Sequence, residues 1–312
     1  MQVLQGGAKI VIQGGAKQVF SSINRNRNKG DMPGAGVSCD PGMLFEKGQT
    51  IMISSTGNAK VRELVKLKKN AKERSKRGVF LVEGPKMFRE IPGELLMEVY
   101  ASESFLRTEE GAGALDRIRG YGRIPETVSD SVFAHLSDTR SPQGILAVVR
   151  QLAYQTEDLM GQNPLILVLE NLQDPGNLGT IVRTAEAAGA TGLLLGRGCV
   201  DIYSPKVTRS TMGSIFRVPF VYTDHLRKTV IFLKKQGVCV LAAHLKGSED
   251  LYQVPCGGPL AFLIGNESRG LTDETAALAD RAVRIPMSGS VESLNAAVAS
   301  AILMFEAKRQ RS

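Results

Sequence analysis

The sequence predicts an α/β protein built on a parallel sheet, and one stretch carries the prediction through three observations. Leu165 to Leu169 is an unbroken apolar run, which is how a strand covered on both faces reads. After the breakers Asp174, Pro175, Gly176, Asn177 and Gly179, the apolar residues take helical spacing at Leu178, Ile181, Val182, Ala185 and Ala188. A second short run, Leu193 to Leu195, follows, so the unit reads strand, helix, strand with a parallel crossover. Asn177 is the expected N-cap of the helix and Gly189 its expected stop. Arg183 falls opposite the apolar stripe, close to the polar loop.

Composition narrows the function classes. With 312 residues, 43% hydrophobic and 22% charged, the chain has room for two domains of a water-soluble globular kind. A formal net charge of +8 favours a polyanionic partner. Cys39, Cys199, Cys239 and Cys256 are far apart and form no C-x-x-C pair, which argues against zinc or a disulfide framework and fits the cytoplasm. His135, His225 and His244 show no ligand spacing either, so no metal is expected. No apolar run reaches the roughly eighteen residues of a membrane span, so no membrane association is expected. The start of the chain lacks the apolar core of a secretory signal; its basic, acid-poor character leaves an organellar transit segment as the lesser alternative.

Residues 1–51 stand apart, with LQGGAKIV and IQGGAKQV in succession and then an Asn-, Gly-, Ser- and Arg-rich segment containing Arg25, Arg27 and Lys29. Such a stretch buries too little apolar surface to offset its ordering entropy and reads as a flexible extension. Met52 at its end is a candidate internal start.

Residues 52–155 read as a small α/β module. A helix is expected from Asn58 with Val61, Leu64 and Val65 inward. Lys60, Arg62, Lys66, Lys68, Lys69, Lys72, Arg74, Lys76 and Arg77 lie on or just beyond it, against Glu63 and Glu73. Balanced surfaces mix signs, so this one-sided face suits a phosphate backbone and makes a nucleic acid the expected partner of Lys60, Arg62, Lys68, Lys69 and Lys72. Strands are expected at Val79 to Glu83, Leu96 to Ala101 and Ile145 to Val149, with helices at Pro85 to Ile91 and around Gly113 to Arg119. Gln151 to Asn163 reads as a polar linker.

The second domain, 163–310, opens with the stretch described first. Lys206, Arg209 and Arg217 then accompany several hydroxyl residues, a surface suited to phosphate. Leu226 to Gln236 is an amphipathic helix, Val238 to Ala243 and Leu260 to Ile264 are buried strands, and a helix from about Val291 puts Leu294, Val298, Ala301 and Phe305 on one face.

Three apolar strands end in loops of small or amide residues, Asp174 to Gly179, Gly265 to Gly270 and Ile285 to Asn295. In open parallel sheets ligands bind beyond the carboxyl ends of strands, so these loops are expected to converge. The signatures of dinucleotide-binding folds, P-loop NTPases, HExxH zinc proteases and GxSxG hydrolases are absent.

The segments DPGNLGTIVRTAEAAGA (174–190), LIGNESRGL (263–271) and VRIPMSGSVESLNAAVA (283–299) resemble, in order and spacing, the three signature motifs of the SpoU/TrmH family of RNA methyltransferases, in the SPOUT superfamily. On NAKVRELVKL and VFLVEG, the segment 58–150 resembles the family's L30e-like substrate-binding domain. Thr211 stands where the family's S-x-G turn has serine, a conservative departure. The resemblance implies a homodimer with a trefoil-knotted parallel sheet. It also implies S-adenosyl-L-methionine as cofactor and methyl transfer to a ribose 2′-hydroxyl of RNA, most readily ribosomal RNA of the 23S type. Carried over by position, it sets the donor against Ala243, Gly265, Ile285 and Leu294, and lines the reacting side with Asn177, Arg183, Glu267, Ser293 and Asn295.

The chemistry of those residues can be weighed separately. A ribose hydroxyl is a poor nucleophile facing an already activated donor, so alignment and stabilisation of developing alkoxide charge are the main tasks. Arg183 suits that oxygen or its neighbouring phosphate, and as an arginine it is no general base. Glu267 is the expected proton acceptor. Asn295 and Ser293 are also expected helix-start caps. The alternatives are a transfer RNA ribose methyltransferase of the same family and a non-catalytic RNA-binding or ribosome-assembly factor with the same fold.

Overall fold

A computed structural model describes residues 52–244, 247, 249–290 and 293–312; the expectations for 1–51, including Arg25, Arg27 and Lys29, lie outside the described residues. The first part of the chain forms α1 (Ala59–Lys69), α2 (Ala71–Arg77), β1 (Val79–Glu83), α3 (Pro85–Arg89), β2 (Leu96–Ser102), α4 (Glu103–Leu106), α5 (Glu109–Gly120), β3 (Glu126–Val128), α6 (Asp130–Leu136) and β4 (Ile145–Arg150). Its sheet runs β1-β4-β2-β3, with β4 antiparallel to both neighbours. Asn58 caps α1 through Lys60 N, as its position before the apolar period predicts. Val61, Leu64 and Leu67 of α1 and Phe133 and Leu136 of α6 cover one face of the sheet.

The other face does not close on itself. Phe80, Phe88, Ile118 and Val149 belong to the same apolar core as Leu167, Ile181, Tyr203 and Phe216 of the second part, so the two sheets share one interior. Phe80 and Tyr203 stack with ring centroids 4.6 Å apart. The stretch between the sheets is more than a polar spacer: Leu159 is fully buried, and Leu152 exchanges two hydrogen bonds with the Tyr203 hydroxyl, both 2.9 Å. Arg74 is buried and fixes the basic helices to the second part. It pairs with Asp201 at 2.6 Å and donates to the carbonyls of Leu67 and Lys68 at 2.6 and 3.1 Å. With every one of these partners supplied, the buried charge is compensated; removing one costs roughly 3–5 kcal/mol.

The second part forms β5 (Leu165–Leu169), α7 (Pro175–Ala188), β6 (Gly192–Gly196), α8 (Pro205–Ser210), β7 (Phe220–Thr223), α9 (Leu226–Lys235), β8 (Cys239–Ala243), β9 (Glu249–Asp250), β10 (Leu260–Ile264), α10 (Asp273–Ala276), β11 (Arg281–Arg284) and α11 (Ala296–Gln310). The sheet order is β7-β6-β5-β10-β8-β11-β9, and every pairing is parallel. All five residues of β5, β6 and β10 are buried, as the unbroken apolar runs require. Among the described residues no helix is long and apolar enough to cross a membrane.

Helices α7 and α11 differ from expectation, and α11, capped by Asn295, starts at Ala296 and not near Val291, which leaves Leu294 outside it. Asp174, not Asn177, caps α7, accepting Asn177 N at 2.8 Å, with Pro175 at the first helical position. The helix therefore starts one turn earlier, and the Asn177 carboxamide is released from capping. Its end is as expected, with Gly189 left-handed at φ 78°. In α11, Ala297, Ser300, Leu303, Met304 and Ala307 are buried, whereas Val298 and Phe305 of the expected apolar face are 49% and 46% exposed. Its helix is apolar nearly all round, so sequence alone offered two faces, and contact with α7 selected the smaller-residue one.

Candidate active site

Because every strand of the large sheet is parallel, the loops after β5, β10 and β11 leave from one edge. Glu170, at the end of β5, accepts Thr272 N and Thr272 Oγ1, both at 2.8 Å, and so anchors the chain just before α10. Asn266 and Gly270 exchange backbone hydrogen bonds of 3.0 and 2.9 Å, closing a tight turn whose tip is Glu267, Ser268 and Arg269. Asn266 Oδ1 braces that tip, accepting Ser268 N at 3.0 Å and Arg269 N at 3.2 Å, and Asn266 Nδ2 ties it to Asn171 O at 2.9 Å. Gly265 leaves no room for a side chain, since a Cβ there would lie 2.0 Å from the carbonyl carbon of Gly270.

The Glu267 carboxylate takes hydrogen bonds from Asp174 N at 2.8 Å, Asn177 Nδ2 at 3.1 Å, Gln173 N at 3.2 Å and Asn266 Nδ2 at 3.3 Å. Burial works to raise its pKa, but the bonds from Asp174 and its neighbours outweigh burial and hold it below the usual carboxylate range. Glu267, expected as a proton acceptor, has its lone pairs engaged by the first loop and by Asn266, and its basicity is lowered. Asn177 passes the connection on, its Oδ1 accepting Asn295 Nδ2 at 2.9 Å. Asn295 in turn caps α11 through Ala297 N at 2.9 Å and Val298 N at 3.3 Å, so its capping and linking roles coexist. One hydrogen-bonded chain, Asn295 to Asn177 to Glu267, joins all three loops.

Beside this chain lies a cavity of about 690 Å³ lined by Ala243, Gly265, Ile285 and Leu294, with Ser293 and Glu267 also on its wall. That volume falls within the range for small-ligand sites, about 300–1,000 Å³. The apolar wall of Ile264, Leu271, Ile285 and Leu294 suits a purine ring, and the side-chain-free Gly265 lets a ligand meet backbone, so the residues fit an adenosyl donor. Among the lining residues that sequence reasoning missed are His244, Arg269 and Arg284. Arg269 lies inside a quoted motif, where its charge was masked by the turn signal around it.

Arg183 is not among the lining residues. It stands exposed on α7, six residues from Asn177 or about 9 Å along the axis, with no hydrogen bond or ion pair to any described residue. The basic residues divide. Arg62, Lys69 and Lys72 are exposed, and their side chains have no partner among the described residues. Lys60 pairs with Glu126, and Arg209 with Asp138 at 3.7 Å. Lys68 is half-buried, its Nζ donating to the carbonyls of His135 and Ser137 at 3.0 Å each, and burial pulls its pKa down. It closes the end of α6 and is spent on that duty, a correction to its expected place on RNA. Among the described residues no group of His, Cys, Asp and Glu could hold a metal ion.

Residues 164–305 match the SpoU rRNA Methylase family, and residues 58–147 the MRM3-like substrate binding domain. The 23S rRNA (guanosine(2553)-2′-O)-methyltransferase RlmP of Bacillus subtilis (strain 168) is 33% identical over 256 residues, covering 81% of this chain and 97% of that protein. The chain belongs to the SpoU methylase family. It is an RNA methyltransferase of that family, and solved members share its architecture. The AdoMet-bound rRNA methyltransferase of Sinorhizobium meliloti superposes with a TM-score of 0.72 at 29% identity, over 83% of this chain and 97% of that one. The SpoU methyltransferase AviRb of Streptomyces viridochromogenes gives 0.72 at 27% identity, over 81% and 98%. In this SpoU methylase the Asn295–Asn177–Glu267 chain lies within the matched residues 164–305.

Proposed function

We propose that this enzyme transfers a methyl group from S-adenosyl-L-methionine to the 2′-hydroxyl of a guanosine in 23S ribosomal RNA. The observation that carries the reading is the hydrogen-bonded chain through Asn295, Asn177 and Glu267 beside a cavity large enough for the donor. The 23S guanosine specificity of the Bacillus subtilis relative supports the choice of RNA. When bound, the donor supplies an electrophilic methyl on a sulfonium, so the protein's work is alignment of the sugar oxygen and stabilisation of its developing charge. Glu267 and Asn177 fix the loops, and Ser293 and Asn295 shape the acceptor side. Arg183, exposed on α7 outside the cavity lining, is read as the permanent cation that meets the acceptor oxygen or its phosphate. Free thiols at Cys199, Cys239 and Cys256 fit a reducing cytoplasm.

The test is a tritium-transfer assay on unmodified 23S transcript, followed by nuclease digestion and mass analysis. A methyl on the sugar is expected; a methyl on the base, or no transfer with no heat of donor binding by calorimetry, sinks the assignment.

A homodimer completes the reading. Val298 and Phe305 are large apolar side chains left in solvent on α11, beside the helix that carries Arg183, and a second copy of the same surface would cover them. Phe305→Glu is expected to yield a monomer by sedimentation, with folding retained. A wild-type chain already monomeric at micromolar concentration would remove the dimer.

RNA is held, in this reading, by Arg62, Lys69 and Lys72 on α1 and α2. Changing all three to Gln is expected to flatten the salt dependence of RNA binding by roughly two to three log units per log unit of salt, about 0.7–0.9 for each phosphate contact. An unchanged slope returns these helices to bulk solvent.

A further inference from the structure

The turn between β10 and α10 carries a charge that neither the scaffold nor the donor's sulfonium uses. Arg269 is exposed and lines the donor cavity, and its guanidinium meets no acceptor among the described residues. Neither carboxylate of the same cavity pairs with it. Glu267 is taken up by the donors of the first loop, and Asp250 accepts Tyr252 N at 2.9 Å. Arg284, on the opposite wall, is likewise exposed and unpaired among the described residues. The wall of the cavity therefore presents two guanidinium groups without a described partner, each open to an anion.

The position of Arg269 is also fixed. Its own N–H is held by Asn266 Oδ1 at 3.2 Å, and the Asn266–Gly270 pair closes the turn around it. Glu267, two residues earlier, locks the same turn to Asn177. The braced turn fixes where the side chain starts, and the planar fork of donors that it carries can grip a phosphate bidentately. Arg183 leaves from a different element, α7, and does not line the cavity.

We infer that Arg269 binds the RNA phosphodiester adjoining the ribose to be methylated, and so positions that sugar over the donor cavity. This rests on the proposed RNA methylation. The donor's own carboxylate offers related chemistry, and the experiment separates the two.

Full-length Arg269→Gln and Arg269→Lys are compared with wild type by donor calorimetry, by salt-dependent binding of unmodified 23S transcript, and by steady-state kinetics. For Arg269→Gln the donor Kd is expected to stay within twofold, while the RNA Kd and the RNA KM both rise about tenfold at nearly constant kcat, the pattern of lost uniform binding. The salt slope should shrink by about 0.7–0.9, one phosphate contact. Arg269→Lys should restore the slope but not the full affinity, because a point charge lacks the fork. A tenfold weaker donor with an unchanged RNA slope would overturn the inference in favour of the donor carboxylate, and no change in any quantity would overturn it in favour of bulk solvent. Wild-type protein that binds the transcript without methylating it sinks the proposed activity, while the slope comparison still decides Arg269.

Discussion

Gly265→Ala is expected to abolish donor binding and to lower the melting temperature by about 6–12 °C, taking roughly 3 kcal/mol for forced overpacking at 2–4 °C per kcal/mol. The added Cβ would sit 2.0 Å from Gly270 C and 2.1 Å from Leu271 N, so it strikes backbone and no side-chain rotation relieves it. The struck backbone is held on both sides, by the Asn266–Gly270 pair and by Glu170 on Thr272. Moving the turn would drag Glu267 off Asp174 and Asn177, opening the loops that wall the cavity. Differential scanning calorimetry and donor titration give the two readouts. Wild-type values in both would mean that the turn relaxes freely and that the braces described above hold nothing.

Arg183→Ala is expected to behave in the opposite way. Its side chain touches no described partner, so stability and donor affinity should stay at wild-type values while turnover falls about 10²–10³-fold, the usual cost of removing one preorganised donor from developing negative charge. Single-turnover kinetics at saturating RNA measures the chemical step. Activity within about tenfold of wild type, a loss of only ~1.4 kcal/mol, would end its catalytic role. Together the two variants separate a residue that builds the cavity from one that acts on what enters it.

Much of the fold was legible because its signals are local. The strand from Leu165 to Leu169 is apolar without alternation because β6 and β10 flank it and helices cover its faces. The caps Asn58 and Gly189 act where their side-chain chemistry and backbone freedom place them. The start of α7 was misplaced because two capping residues, Asp174 and Asn177, stand three apart; Pro175, favoured at a first helical position, was the deciding signal. The short β9 and β11 are not legible as strands, since Glu249–Asp250 and Arg281–Arg284 show little apolar pattern and owe their form to pairing with neighbouring strands.

The site divides along the same line. Asn177, Glu267 and Asn295 could be named from their motifs, but their mutual contacts depend on β10 lying beside β5 and on α11 returning to α7, which no window of sequence contains. Their chemistry changed accordingly: a carboxylate that looks available for a proton is spent once four donors converge on it. Lys68 could not be told from Lys69 in a run of cations, because only the position of the last turn of α6 decides which of them it engages.

The clamp of Arg74 on Asp201 and the interior common to both sheets make the basic helices and the donor cavity parts of one body with no hinge between them. Such a body works as a pair of callipers set at a single gap. On the proposed contacts of Arg62, Lys69 and Lys72, which would read phosphates and no bases, the bend and length of a folded RNA across that gap would choose which sugar arrives. A stem one base pair too long would carry the sugar past the methyl group even with its sequence intact.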